Sequence, residues 1–297
     1  MDKQKTVSIF KENAVYYLTA FLIILGMKYF YSKAGSDELR WILSPTARWV
    51  QTLSGIPFEY VKGAGYVNHS LRLLIAASCS GVQFMIITIA TLIFSFVHKV
   101  DDGHKVDDGC MADDGQADTG YKTDDGRMAD NGHITNTGRK YRKLIWMIAS
   151  LLLSYVFTVF VNGLRIITAI YLPLFLQGTS LYGGILTPER LHTLIGTVVY
   201  FVSLLTIYRL TAYFLRKKGE KSRRRMSARI IRKCAPPAFW YFSIVLGIPL
   251  LNRAYRNDSE KFLEFAFLIV VCCTAVLLLY FLAHLLHKTF RRLSRRP

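Results

Sequence analysis

Three side chains in this sequence could do chemistry together: Cys79 in Ser78-Cys79-Ser80-Gly81, Arg165 in Asn162-Gly163-Leu164-Arg165-Ile166, and His192 in Leu191-His192-Thr193-Leu194-Ile195-Gly196. A thiol attacks as its thiolate, which a nearby cation favours and an imidazole can help to form by taking the proton. A guanidinium keeps its charge under all ordinary conditions, so it can also hold the oxyanion of a tetrahedral intermediate. Each residue alone has an ordinary explanation. A cysteine packs as a compact apolar side chain, an arginine near a membrane surface snorkels, and His192, after Thr187-Pro188-Glu189, suits the entry of a helix. The three amount to a site only if the fold brings them together.

The elements that carry them are apolar. Six segments are long or nearly long enough to cross a bilayer: residues 14–31, 72–97, 144–161, 191–214, 238–251 and 262–286, the fifth being short. Lipid offers the backbone no hydrogen bonds, so each is expected to be a helix. The fold class is therefore all-α, a polytopic transmembrane helix bundle of about six spans with additional interfacial or re-entrant segments. The first segment has no small-residue cleavage site and ends in Lys28-Tyr29-Phe30-Tyr31, which reads as a retained anchor and not as a removed signal peptide.

A formal charge of +18 in a soluble protein would suggest nucleic acid, but here the cations abut apolar segments. Residues 139–143, 216–233 and the tail 287–297 carry most of the excess, and they hold no regular interleaving of aromatic residues, only Tyr141 and Phe290. That is the positive-inside pattern; the bilayer is the expected partner and nucleic acid is not. Cytoplasmic placement of these blocks puts the N-terminus inside and fixes the alternate spans. Arg165–Gln177, short and containing Pro173, is then expected to be re-entrant or interfacial, and residues 39–56, broken by Arg40, Pro45, Arg48 and Gln51, to be an interfacial helix. With this topology Cys79 lies two turns inside Arg72, ~10 Å below the outer end of its helix. Arg165 sits at the outer end of the third span and His192 opens the fourth, so all three share the outer leaflet.

Residues 101–138 differ from the rest. They repeat an Asp-Asp-Gly-like unit and hold ten of the twenty acidic residues, with too few apolar side chains to offset chain entropy, so a cytoplasmic low-complexity linker is expected. Calcium binding in the manner of an EF-hand would need a glutamate at the twelfth loop position, which no copy supplies. The five cysteines, Cys79, Cys110, Cys234, Cys272 and Cys273, show no CxxC spacing, so neither a zinc site nor a disulfide framework is indicated and no cofactor is implied. The chain thus divides into a membrane part with the cysteine motif (1–100), the acidic linker (101–138), a membrane part with the arginine and histidine motifs (139–214), and a basic loop with C-terminal membrane helices (215–297).

The segments "SCSGVQF" with Cys79, "NGLRI" with Arg165 and "LHTLIG" with His192, in that order, resemble the three motifs of the exosortase/archaeosortase family of multi-spanning sorting enzymes. The similarity runs from about residue 14 to 214 and is closest to the exosortase K type; the acidic repeat and the last two spans depart from the family pattern. The resemblance implies a cysteine peptidase or transpeptidase of the inner, cytoplasmic membrane with its active site facing the periplasmic or outer side. Its substrates would be exported proteins still anchored by a C-terminal sorting signal, which combines a short motif, a transmembrane helix and a basic end. Cys79 would form a thioester, His192 would shuttle the proton and Arg165 would hold charge. Two other classes use the same residues differently: a membrane acyltransferase or thiol hydrolase acting on lipids, and a transporter in which Arg165 binds an anion and Cys79 only fills space. The paired, discontinuous halves common in transporters are not evident in the sequence.

Overall fold

The computed structural model of the protein describes residues 3–100, 131–176, 187–215, 226–252, 256 and 259–293. The acidic repeat as far as residue 130 and the basic run 216–225 lie outside the described residues. Helices α1 (Lys3–Lys33) and α2 (Arg40–Ser54) precede three short strands, β1 (Glu59–Val61), β2 (Gly65–Asn68) and β3 (Leu73–Ile75). Helices α3 (Val82–Phe96), α4 (Asn131–Leu176), α5 (Pro188–Phe214), α6 (Met226–Phe242), α7 (Ile248–Leu251) and α8 (Ser259–Leu293) follow. A π-helical turn, Ser243–Gly247, joins α6 to α7 into one run carrying Pro236 and Pro237.

Among the described residues six helical stretches are long and apolar enough to cross a membrane: 11–33, 77–96, 140–176, 188–214, 234–251 and 259–286. The protein is an all-α membrane bundle with little sheet. Its core is the interface between helices, and large apolar side chains also cover the outside: Val15, Leu18 and Phe21 on α1, Leu152 and Val156 on α4, and Leu263, Phe267 and Leu278 on α8. In water such a surface would drive aggregation; against lipid it costs nothing. α3 is the central helix, buried on nearly all sides, with Phe84, Ile86, Ile89, Leu92, Ile93 and Phe96 inaccessible. It packs against α1, α4, α5 and α6, so the C-terminal helices belong to the same bundle as the rest.

The apolar run 72–97 is not one helix. Residues 65–75 form the β2–β3 hairpin instead, in an antiparallel sheet of order β1-β2-β3 in which Tyr66 faces Ile75 and Asn68 faces Leu73. Asn68 builds the turn: its Nδ2 donates to the Pro57 carbonyl and its Oδ1 accepts from the Leu71 amide, while Arg72 adopts the left-handed conformation at φ 52°. Cys79 therefore lies on a 3-10 turn, Ala77–Cys79, just ahead of α3, and not two turns inside a helix.

As far as Leu176, the last described residue before Gln177, the stretch expected to be re-entrant or interfacial is not a separate segment: it continues α4, a single helix of 46 residues beginning inside the expected linker and ~69 Å long at 1.5 Å per residue. Pro173 falls in its last turn, where the missing N–H removes only one ladder bond before the helix ends. Arg165 is accordingly within the helix and not at its end. The stretch 39–56 does hold a helix, α2, whose buried face of Ile42, Leu43, Thr46, Ala47 and Val50 lies along α4 and β2. Trp41 stacks on Tyr155, with ring centroids 5.8 Å apart, and Trp49 packs on Phe160 at 5.4 Å. Gly163 permits this approach, because a Cβ there would overlap the Trp49 ring.

Candidate active site

The turn that carries Cys79 is held from several directions. The Cys79 amide donates to Ala76 O at 2.8 Å and the Ser80 amide to Ala77 O at 3.1 Å, closing the 3-10 turn. The Ala77 amide donates to Ser36 Oγ, which in turn donates to Ala64 O, so the turn is tied to the α1–α2 loop and to the β1–β2 hairpin. Gly81 then turns the chain into α3 at φ 73°, a conformation that glycine adopts without a Cβ clash. The thiol stands half-buried just before the N-terminus of α3, the end at which the helix dipole favours negative charge.

Arg165 and His192 approach from the other side. On α4, Asn162 and Arg165 share a face at i and i+3; on α5, His192, Gly196 and Tyr200 share one at four-residue spacing. Arg165 Nη2 lies 2.6 Å from His192 Nε2, and its guanidinium carbon sits 5.5 Å from the centre of the Tyr200 ring. Gly196 makes room for the guanidinium, since a Cβ there would stand 3.2 Å from Arg165 Nε. Only 8% of Arg165 is exposed, and its buried Nε finds no hydrogen-bond partner among the described residues. A guanidinium can only donate, so His192 Nε2 accepts, and the ring in this arrangement is neutral with its proton on Nδ1.

Cys79, Arg165 and His192 open onto one cavity of about 190 Å³. Its remaining walls are apolar: Phe58 and Leu73, Leu74 and Ile75 from the sheet region, and Ile166, Ala169 and Ile170 from α4. A pocket lined, among the described residues, by one thiol, one fixed cation, one imidazole and no carboxylate suits nucleophilic attack on a carbonyl whose oxygen becomes negative. No cluster of three metal-ligating side chains occurs among the described residues.

Two residues beside the site escaped the sequence reading. Asn162 is fully buried; its Nδ2 donates to the Cys79 carbonyl at 2.5 Å and its Oδ1 accepts from Tyr200 Oη at 2.7 Å. Tyr200 also stacks on Phe84 of α3, with centroids 4.6 Å apart and planes 9° from parallel. The signal for Tyr200 was its place two helical turns after His192 on the same face. That for Asn162 was its place one turn before Arg165.

Comparison with known proteins found no matching family model, curated protein or solved structure.

Proposed function

We propose that the protein is a membrane-embedded thiol transpeptidase or protease, similar to the exosortase/archaeosortase family, that processes exported proteins bearing a C-terminal sorting signal. The observation that carries this reading is the convergence of Cys79, from a turn, Arg165, from the C-terminal part of α4, and His192, from near the start of α5, on a single cavity.

In the first step the Cys79 sulfur bonds to the scissile carbonyl carbon while the carbonyl π pair moves to oxygen. The thiol proton passes to His192. The oxyanion is held by Arg165, whose fork must swing from the imidazole to the oxygen, because a protonated ring no longer accepts from it. Collapse breaks the C–N bond, His192 returns the proton to the leaving amine, and an acyl thioester remains on Cys79. An acceptor hydroxyl, amine or water then attacks the thioester, gives its proton to His192, and releases the thiolate.

The cations Lys140, Arg142 and Lys143 stand toward the other end of α4 from Arg165. By the positive-inside rule this supports a cavity toward the outer side of the cytoplasmic membrane, where an exported but still anchored substrate would present its cleavage site. The partners are then membrane-anchored proteins with C-terminal sorting signals.

One observation favours a second reading. The cavity walls are largely apolar, which also suits an acyl chain and so a lipid acyltransferase using the same cysteine and histidine. Cells carrying Cys79→Ala decide between them: peptide processing predicts membrane proteins that keep their C-terminal helix and basic end, whereas lipid acyl transfer leaves those termini unchanged.

A further inference from the structure

We infer that Asn162, held by Tyr200, is a positioning residue that sets Cys79 against Arg165 and His192; this rests on the reading of Cys79 as the nucleophile. Neither Asn162 nor Tyr200 lines the cavity, so neither touches a substrate there. Both act through their neighbours.

The amide of Asn162 is used at both ends. Its Nδ2 donates to the Cys79 carbonyl and its Oδ1 accepts from Tyr200 Oη. Reversal would bring two oxygens together at Cys79, so the Cys79 carbonyl fixes the orientation of the amide and Tyr200 Oη donates to the oxygen this leaves. Tyr200 is in turn fixed by its stack on Phe84, the third residue of α3, and its ring supports the Arg165 guanidinium at 5.5 Å. Arg165 bonds His192. A continuous chain therefore runs from the Cys79 carbonyl through Asn162, Tyr200 and Arg165 to His192, linking all three elements of the site.

The approach of Asn162 is built into the sequence. A Cβ on Gly81 would stand 2.9 Å from Asn162 Cγ, so the residue that turns the chain into α3 is also the one that admits the amide. The bond has a chemical consequence as well. It draws the Cys79 carbonyl behind the cavity wall, toward a fully buried partner, and so away from the oxyanion that the reaction would form. No other uncharged side chain of this length offers both a donor and an acceptor. Aspartate would set an anion against the carbonyl, leucine would leave two buried polar groups unpaired, and glutamine is one methylene too long for a gap closed at 2.5 Å and 2.7 Å.

The test pairs Asn162→Leu and Tyr200→Phe, with Thr158→Val as a control one turn away on the same helix face. Two readouts are made on the full chain in membranes. The first is processing of the anchored substrate, with kcat and KM resolved. The second is the rate at which iodoacetamide alkylates Cys79, with buried Cys234 and Cys273 as internal indicators of folding. Asn162→Leu is expected to lower kcat ~100-fold with KM nearly unchanged, the scale of a ~1 Å misplacement, and Tyr200→Phe ~10-fold. In both, alkylation of the released Cys79 turn rises several-fold while Cys234 and Cys273 stay unlabelled; Thr158→Val changes neither readout.

Opposite movements of processing and alkylation distinguish positioning from a packing role. Unchanged Cys79 alkylation in Asn162→Leu overturns the inference, as does an equal rise at Cys234 and Cys273, which would show general loosening. Alkylation needs no substrate. Should Cys79→Ala process normally while the alkylation pattern holds, the proposed reaction fails and the positioning of Cys79 by Asn162 stands.

Discussion

Arg165 Nη2 and His192 Nε2 meet at 2.6 Å across the α4–α5 interface, and the guanidinium simultaneously lies over the Tyr200 ring. Two neighbouring geometries are thus satisfied by one planar fork. Lysine offers a compact ammonium with no such plane. Arg165→Lys is predicted to accumulate in the membrane at the normal level and to turn over substrate ~100- to 1000-fold more slowly, the scale of losing an oxyanion donor. Quantifying processed and unprocessed substrate checks this; wild-type processing would show that Arg165 serves only as an anchor.

Gly196 separates stability from activity. Alanine in a helix interior is favoured over glycine by ~0.5–1 kcal/mol, but here its Cβ would stand 3.2 Å from Arg165 Nε. The flexible arginine can yield by a few tenths of an ångström, so Gly196→Ala should melt in detergent at the wild-type temperature or slightly above. Displacement of the guanidinium should lower turnover ~10-fold. A drop in both quantities would contradict this separation.

Gly163 has no such tolerance, since any Cβ overlaps the Trp49 ring. Gly163→Ala should therefore destabilise the α2–α4 contact by ~1–3 kcal/mol, the usual cost of overpacking. A thermal melt of the solubilised protein measures it. Gly163→Ala combined with Trp49→Ala should recover part of the loss, and an absence of recovery would place the strain elsewhere.

The loop region outside the spans predicts a pH dependence. Tyr60 Oη donates to Asp37 Oδ1 at 2.5 Å and the Gly63 amide donates to the same oxygen at 2.8 Å. These bonds, the tyrosine's first, hold the Asp37 carboxyl below its ordinary range, and the same bond raises the Tyr60 phenol above its own. A depressed carboxyl stabilises the fold above its unfolded value and loses that contribution as pH falls through the folded one; a raised phenol stabilises below its unfolded value and loses it as pH rises through the folded one. Melting temperature should thus decline below pH ~4 and above pH ~10 partly through this pair. Tyr60→Phe should flatten both limbs, and unchanged limbs would remove the pair from the account.

Orientation is checked by labelling in a Cys79→Ala background. Ser70, exposed in the turn between β2 and β3, and Lys140, exposed near the start of the α4 span, lie at opposite ends of the bundle in the proposed topology. Ser70→Cys should react with a membrane-impermeant maleimide in intact cells and Lys140→Cys only after lysis. The reverse pattern would invert the topology.

The six spans were legible because apolar length is a strong signal. What lay inside an apolar run was not. Leu71–Val97 is continuous in hydrophobicity, yet it holds the end of a turn, strand β3, a 3-10 turn and helix α3; a short buried strand and a helix segment look alike by composition. Asn68 and Gly81 were the available punctuation. Pro173 misled in the opposite sense, since proline near a helix end costs too little to stop it. Candidate residues Cys79, Arg165 and His192 could be picked out by type, and the structure brings them onto one cavity. Asn162 and Tyr200 were missed because a buried amide and phenol gain meaning only from partners 83 and 38 residues away from Asn162.

The measurement that tests the central claim most directly is identification, by mass spectrometry, of the group covalently attached to Cys79 in membranes rapidly quenched from growing cells. A peptide acyl thioester, released by hydroxylamine and absent from Cys79→Ala, is the predicted result. A fatty acyl group on Cys79, or an unmodified thiol in cells whose substrates are being processed normally, would contradict it.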